Sequence, residues 1–287
     1  MGMTREEQAR KKELYEKLFM KPSHKDWKGK GPAMASEVPV FLRLAAKSHK
    51  AFYHYTSLDA LEKMLEKTSL RLTNMAGLND LREGGGSGQE ALERTYVASF
   101  GWSIRESVAM WWMYGLKGNV KAAERVPIRL AFNGDAVRAA VEAVGGGKGQ
   151  TGWKADFFDI LYQFSARNPT GLGSVSWNKE IANENRCEGN AFRDAAKAFP
   201  GFVKDGGWDY EGETRISIEL PKAKGEHISI PFGEALKTVK VLVGPGQEAL
   251  LYLEIAKERL AKWGIDVEES GCEVRFPEWG KKGRGKR

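Results

Sequence analysis

The chain has 287 residues, of which 41% are hydrophobic, so it can form one large domain or two small ones around a real core, and global disorder is excluded. No run of about 18 apolar residues predicts a membrane span, and two cysteines are too few for a disulfide framework. The 45 Lys and Arg residues outnumber the 38 Asp and Glu residues, and the resulting charge of +7 suggests an anionic partner.

Residues 1–50 predict an N-terminal helical extension. Thr4 and Glu7 have the spacing of a capping box, and apolar residues at helical spacing follow them. The stretch 22–39 carries Gly, Pro and Lys and predicts an extended connection, so we expect the extension to dock on the main body. The first twenty residues lack the apolar segment of a secretory signal, and with two cysteines this favours a cytoplasmic location.

Short strands and helices follow one another over residues 51–280. Strands are predicted at 52–55, 70–73, 96–100, 127–132, 157–164, 213–220, 227–230 and 238–243, with an extended stretch at 265–276. Helices are predicted after the capping signals Thr56-x-x-Asp59 and Ser103-x-x-Glu106 and over 135–144, 179–199 and 248–263. This mixture predicts one mixed α/β or α+β domain at 51–280, followed by a basic tail at 281–287.

Two glycine-rich segments carry no predicted chemistry. Residues 147–152 match G-x-G-x-x-G, but they follow a predicted helix and not a strand, which favours a flexible loop over a dinucleotide-binding turn. Residues 84–88 have the composition of an engineered flexible linker. The four histidines lie at no metal-ligand spacing and C-x-x-C is absent, so no metal is expected.

The segment Tyr210-Glu211-Gly212-Glu213-Thr214-Arg215 is the first candidate site. If Glu211 and Glu213 both lie in a strand, their side chains share one face, where two carboxylates repel each other unless they are arranged for a purpose. The alternative is a solvated strand edge whose glutamates pair with Arg215 or with a lysine on a neighbouring strand.

Two aromatic segments are weaker candidates. Tyr53-His54-Tyr55-Thr56 lies at a predicted strand-to-helix junction, where His54 can bind a ribose hydroxyl or can equally be a structural histidine beside a capping Thr56. Met110, Trp111, Trp112 and Tyr114 lie on one predicted helix, for which core packing is the default and stacking on a base or a nicotinamide ring is the alternative.

These segments stop looking independent when they are taken in chain order. The series is Tyr53-His54-Tyr55-Thr56, Leu78-Asn79-Asp80, Ala98-Ser99-Phe100, Met110-Trp111 with Tyr114, Lys204-Asp205, Trp208, Tyr210-Glu211-Gly212-Glu213-Thr214-Arg215 and Val241-Leu242-Val243-Gly244-Pro245. It resembles a mostly bacterial family of unknown function with the outline Y-[RH]-Y-T, N-D-P, S-F, M-W, W-x-Y-E-x-E-x-R and I-I-G-P. The chain departs from this outline at Leu81, where proline is usual, and in a long stretch at 145–202.

That family is similar to the ADP-ribosyltransferases, including the DarT-type enzymes that modify DNA. The resemblance implies an α+β fold with a split β-sheet core and flanking helices that grips NAD as substrate. It implies that Glu213 contacts the nicotinamide ribose and that Glu211 orients or deprotonates the acceptor. It further implies NAD or acceptor contacts from the following residues: His54, Tyr55, Thr56, Asn79, Asp80, Tyr114 and Arg215.

We therefore expect an NAD-dependent ADP-ribosyltransferase, acting as a toxin or an anti-phage defence effector on DNA, RNA or protein. The alternatives are an NAD glycohydrolase and a domain without catalysis that binds nucleic acid or a protein partner. Five of the basic residues lie in the tail at 281–287, and without them the charge falls from +7 to +2, so charge supports a nucleic-acid acceptor only weakly. On this interpretation Glu213→Gln would abolish NAD turnover and leave folding intact.

Overall fold

A computed structural model describes residues 2–20, 36–78, 88–115, 126–146, 152–164, 174–176, 201–246 and 248–272. The predicted helix at 179–199, the basic tail at 281–287 and most of the glycine-rich segments at 84–88 and 147–152 lie outside these residues, as do residues 22–35 of the connection predicted at 22–39. Residues 37–39 of that stretch are helical, so the extended connection is wrong there. Contacts divide the chain into two compact units. Unit 1 comprises Met1–His54, Lys63–Ile104 and Ala131–Val239, and unit 2 comprises Tyr55–Glu62, Arg105–Leu130 and Lys240–Arg287.

The described residues form eight α-helices and twelve strands. The helices are α1 (Arg5–Tyr15), α2 (Glu37–Ser48), α3 (Leu58–Lys67), α4 (Gln89–Arg94), α5 (Val108–Met110), α6 (Gly134–Gly146), α7 (Gly233–Leu236) and α8 (Ala249–Leu260). The strands are β1 (Ala51–Ser57), β2 (Ser69–Asn74), β3 (Thr95–Gly101), β4 (Pro127–Asn133), β5 (Lys154–Asp159), β6 (Leu161–Phe164), β7 (Ser174–Ser176), β8 (Val203–Asp205), β9 (Glu213–Glu219), β10 (His227–Pro231), β11 (Lys240–Val243) and β12 (Val267–Glu269). Antiparallel and parallel strand pairs occur together with helices, so the predicted α+β class is confirmed.

Strand β3 is the centre of the main sheet of unit 1. One of its edges pairs with β9 along the whole strand, from Thr95 opposite Glu219 to Gly101 opposite Glu213. The other edge is shared, because β2 pairs near its start and β1 pairs near its end, where Tyr53 lies opposite Gly101. Strand β5 continues the sheet beyond β9, and β10 continues it beyond β2.

One face of this sheet is covered by an aromatic core. Phe52, Phe100, Phe132 and Phe232 are almost completely buried, and neighbouring ring centroids lie 5.5–6.4 Å apart. Most of these rings meet edge to face, which is the arrangement that the aromatic quadrupole favours. Because side chains alternate along a strand, the neighbours of Phe100 in β3 point to the opposite face of the sheet.

The two N-terminal helices pack near the opposite face, against β5 and β6. Helix α1 begins with the predicted capping box, in which Thr4 and Glu7 each bond the other's backbone, so that prediction is confirmed. The buried cluster shared by the helices and the strands consists of Leu14, Leu18, Val38, Phe41, Leu42, Leu44, Ala45, Phe158, Ile160, Leu161, Tyr162 and Phe202. Arg43 of α2 adds an ion pair with Asp156 of β5. The N-terminal region is therefore part of the core of unit 1.

Unit 2 is built on β11, which pairs in parallel with β12 and is followed by α8. Arg259 of α8 forms ion pairs with Asp59 and Glu62 of α3. Glu106 accepts hydrogen bonds from the Trp111 indole and from the backbone of Gly271, which fastens the segment before α5 to the end of the described chain. In the part of the chain that the structure describes, no helix is long and apolar enough to cross a membrane.

Candidate functional site

The E-x-E segment lies at the start of β9, in unit 1. Glu211 ends a 3₁₀ turn over Gly206–Glu211, and Glu213 is the first residue of the strand. Gly212 between them has a φ of +49°, and a Cβ at this position would lie 3.2 Å from the Trp102 ring. A larger residue would be strained here. This glycine therefore sets the direction in which the two glutamates leave the turn.

Two cations neutralise the two glutamates. Lys204 Nζ lies 2.6 Å from Glu211 Oε2 and 3.2 Å from Glu213 Oε2. Arg215 NH2 lies 2.6 Å from Glu213 Oε1, and its other terminal nitrogen donates to the carbonyl of Gly201. We call Lys204, Glu211, Glu213 and Arg215 the ion network. Each of its members is at most 7% exposed, so it is a buried network and not a solvated strand edge.

The ion network fixes the charge of Glu213. Burial raises the pKa of this carboxyl, but the charges of Arg215 and Lys204 and hydrogen bonds from Ser99 and Arg215 outweigh burial and lower its pKa from 4.5 to about 2. Burial and the charges of Glu213 and Glu211 hold the pKa of Tyr162 well above its ordinary value. The glutamate is therefore ionised at neutral pH, and the neighbouring phenol keeps its proton.

Ser99 connects the ion network to solvent. It lies opposite Arg215 in the register of β3 and β9, its side chain hydrogen-bonds Glu213, and it is exposed, whereas the network members are buried. The backbone carbonyl of Ser99 accepts a hydrogen bond of 2.9 Å from His54 Nδ1. Because a carbonyl can only accept, Nδ1 carries the ring proton, and burial lowers the pKa of His54. Hydrogen bonds of Ser99 thus link His54, through the serine backbone, to Glu213, through the serine side chain.

His54 and Glu213 nevertheless point to opposite faces of the sheet. Tyr53, and not His54, shares the face of Gly101 and Glu213, and the His54 ring packs 5.5 Å from Phe100 on the core face. In this arrangement His54 positions the Ser99 backbone. The ribose contact assigned to it by resemblance remains a prediction.

Further residues hold the start of β9 from both faces. The backbone N–H of Glu213 donates to the Tyr162 hydroxyl at 2.9 Å, on the face of the N-terminal helices. On the other face Thr214 donates to the buried Asp159, which also pairs with His49 Nε2 at 2.8 Å. These bonds leave the strand little freedom to move where the glutamates lie.

An aromatic pair borders the ion network. Lys204 Nζ lies 4.9 Å from the centre of the Trp208 ring, and the centroid of the Tyr210 ring is 6.1 Å from that of Trp208. Trp208 packs partly on the apolar cluster of the N-terminal helices, whereas Tyr210 is 37% exposed. A planar ligand group can stack on an exposed ring of this kind.

The remaining predicted residues do not belong to the described part of unit 1. Tyr55, Thr56 and Tyr114 belong to unit 2. There the Tyr55 hydroxyl accepts a hydrogen bond from Ser107, and its ring meets Trp111 edge to face, whereas Tyr114 is 38% exposed. The other two residues in the prediction, Asn79 and Asp80, lie outside the described residues.

Three residues of the site were given no role from sequence. Ser99 lies in the S-F motif of the family outline, and Lys204 lies in the series of segments just before Trp208, so the resemblance marked their places but not their chemistry. Tyr162 lies in a predicted strand that offers no functional signal, because its contact with Glu213 spans 51 positions.

A search against family models finds no match for this chain, and a search of the curated proteins finds none either. Within the described ranges, no group of three or more His, Cys, Asp or Glu side chains is placed to hold a metal ion. The geometry of the site itself therefore indicates its chemistry.

The folded protein should lose stability as the pH falls from about 4.5, the ordinary pKa of a glutamate, to about 2, the pKa of Glu213. The pKa of Glu213 is lowered from 4.5 to about 2, so its stabilising contribution is complete above about pH 4.5 and is lost as the pH falls through about 2. This contribution is on the order of 3 kcal/mol. Urea unfolding of the wild type and of Glu213→Gln at a series of pH values gives the free energy of unfolding of each protein as a function of pH. The contribution of Glu213 is the difference between the slopes of these two curves. Equal slopes would contradict the low pKa assigned to Glu213.

Proposed function

We propose that the protein is an NAD-dependent ADP-ribosyltransferase with an ADP-ribosyltransferase-like split sheet, in which Glu213 is the catalytic carboxylate. The observation that carries the proposal is the Glu213 side chain, which is held ionised beside a second carboxylate and bonded to the exposed Ser99. The shared edge of β3 supports the split-sheet core, since β1 and β2 meet the same strand at its two ends. A role as a toxin or a defence effector in the cytoplasm follows from the resemblance alone.

The reaction needs a fixed negative charge. The bond between C1′ of the nicotinamide ribose and the nicotinamide nitrogen breaks, and its electron pair leaves with nicotinamide as a neutral molecule. The ribose develops oxocarbenium character, which a nearby carboxylate stabilises. A nucleophile of the acceptor then forms the new bond to C1′ and releases its proton to solvent. Glu213 supplies the charge, and no proton donor is required for the leaving group.

Access to Glu213 runs through Ser99. Both oxygens of the carboxylate already contact a cation, and those cations are buried. The Ser99 side chain is a partner of Glu213 that is exposed to solvent. A ribose hydroxyl that takes the place of the serine hydroxyl reaches the carboxylate without breaking an ion pair. Tyr210, which is also exposed, offers a ring for stacking near the second glutamate.

The charge balance of the site bears on the acceptor. The ion network contains two carboxylates and two cations, so its formal charge is zero. Taken alone, these four residues give no electrostatic preference between a cationic and a neutral acceptor. A nucleic-acid acceptor is favoured in this proposal by the resemblance and, weakly, by the net charge of +7.

Incubation with NAD labelled in the adenosine moiety, with separate pools of DNA, RNA and protein, tests this function. We expect release of nicotinamide and transfer of label to one nucleic-acid pool. Free ADP-ribose with no labelled macromolecule would instead identify a glycohydrolase that uses water. Absence of NAD turnover and of NAD binding by calorimetry, together with salt-sensitive binding to nucleic acid, would identify a domain that binds without catalysis.

A further inference from the structure

Lys204 is the member of the ion network that touches both glutamates. Its ammonium group lies 2.6 Å from Glu211 and 3.2 Å from Glu213, whereas the ion pair described for Arg215 is with Glu213. The lysine is 7% exposed, and its charge lies over the Trp208 ring. A lysine at this depth is costly to bury and is stable only when it is paired.

Two carboxylates this close titrate as a pair. In a buried environment with too little positive charge, one of them takes up a proton, because two like charges cannot both be ionised there. Among the described residues, Arg215 and Lys204 each supply one positive charge to the pair. Removing Lys204 therefore takes away the cation that is described in contact with both carboxylates. The expected response is uptake of a proton at a pH where the wild type has none.

Lys204 also determines the orientation of Glu213. Arg215 contacts Oε1 of this carboxylate and Lys204 contacts Oε2, so a cation fixes each oxygen. With one contact gone, the carboxylate can rotate about its last bond. A charge that stabilises a developing cation must keep its position, because the stabilisation depends on a preorganised geometry.

We propose that Lys204 is a positioning residue, which neutralises Glu211 and Glu213 together and so keeps both carboxylates ionised and Glu213 correctly oriented. The catalytic part of this inference rests on the proposed function. The charge compensation does not, since it follows from the contacts alone.

The first test is the pH profile of NAD turnover by Lys204→Met. We expect the acid limb of kcat to move up by about one pH unit or more, and kcat to fall while KM changes little. Lys154→Met is the matched control, because Lys154 pairs with Glu219 at the other end of β9 and is exposed. An unchanged acid limb in Lys204→Met, or the same shift in both variants, would overturn the proposal.

The second test is a double-mutant cycle with Glu211→Gln, measured by urea unfolding and by the pH of acid unfolding. Lys204→Met removes a cation from the buried Glu211, whereas Glu211→Gln leaves Lys204 paired with Glu213, so the double variant should be more stable than Lys204→Met. Lys204→Met should also unfold at a higher pH than the wild type. If the double variant were no more stable than Lys204→Met, charge compensation by Lys204 would be contradicted. The same holds if neither variant folds.

The two tests separate the possible failures. If the wild type turns over no NAD, the proposed function fails, but the acid-unfolding comparison still measures charge compensation by Lys204. If acid unfolding shifts and the pH profile of turnover does not, Lys204 is a structural partner and the positioning role is wrong.

Discussion

Replacing Glu213 with glutamine is expected to lower the rate of nicotinamide release from NAD by about 10³-fold or more. The substitution keeps the size of the side chain and removes its charge, and loss of one preorganised electrostatic contact in an active site typically costs about 10²–10³-fold. We expect the upper end of this range or more, because the low pKa of Glu213 leaves it fully ionised at neutral pH, so the substitution removes a full negative charge. Release of labelled nicotinamide by the purified protein measures the effect.

The burial of Glu213 changes the expectation for folding. From the sequence alone the glutamine variant was expected to fold normally, but the side chain is 1% exposed and pairs with two buried cations. Removal of its charge leaves Arg215 and Lys204 incompletely neutralised, so the variant should also be less stable. The assay therefore belongs at a temperature at which circular dichroism shows both proteins to be folded.

Glu219→Gln is the control for this prediction. Glu219 ends the same strand, but it is only half-buried and pairs with the exposed Lys154. Its replacement should leave nicotinamide release within about twofold of the wild type, since surface substitutions usually have small effects. A folded Glu213→Gln protein that releases nicotinamide at the wild-type rate would refute the catalytic role.

The largest loss of stability is expected for Arg215→Met, at about 3–5 kcal/mol in the free energy of unfolding. The arginine is 1% exposed, and methionine replaces its bulk but not its charge or its donors. The substitution leaves the Glu213 carboxylate with Lys204 as the remaining cation described and removes the donor to the Gly201 carbonyl. Urea unfolding at neutral pH, analysed by linear extrapolation, measures the loss.

Arg71→Met provides the comparison for that measurement. Arg71 is an exposed residue of β2, in the same sheet, so its replacement should change the free energy of unfolding by no more than about 0.5 kcal/mol. If Arg215→Met cost no more than this control, the ion network would contribute nothing to stability, and the assignment of its charges would be wrong.

Local patterns in the sequence were enough for elements whose contacts are local. The capping box of Thr4 and Glu7 is present because both partners lie within one turn of helix. The similar signal at Ser103-x-x-Glu106 was wrong. The helix there begins at Val108 with Ser107 as its cap, and Glu106 bonds to Trp111 and to Gly271, which is 165 positions away. The spacing of neighbouring residues cannot predict a hydrogen bond to a residue this distant in the sequence.

The prediction of one strand was wrong for the same reason, because its boundaries depend on contacts distant in the sequence. The predicted strand at 157–164 is interrupted at Ile160, and its halves β5 and β6 belong to different sheets. The break follows from long-range bonds, in which Ile160 donates to the Glu213 carbonyl and Leu161 donates to the Phe202 carbonyl. The apolar pattern is continuous across both strands and cannot show where the chain changes partner.

The spacing of Glu211 and Glu213 predicts side chains on one face if both residues lie in a strand, but Glu211 ends the preceding 3₁₀ turn and only Glu213 lies in β9. Sequence reasoning left open a solvated edge in which the glutamates pair with Arg215 or with a lysine of a neighbouring strand. Arg215 does pair with Glu213 and a lysine does pair with both glutamates. That lysine, however, lies in β8 of a separate three-stranded sheet, and the whole group is buried. Burial depends on the packing of other elements, which spacing does not encode.

The packing of the N-terminal helices on β5 has a consequence for the order of folding. Arg43 bonds Asp156 across 113 positions, and His49 bonds Asp159 across 110. During synthesis these helices emerge long before their partners exist, and loops of this length are slow to close. The start of β9 is held between these contacts and comes later still along the chain. The ion network needs residues from Lys204 to Arg215, so a truncated nascent chain that ends before residue 215 carries no complete site.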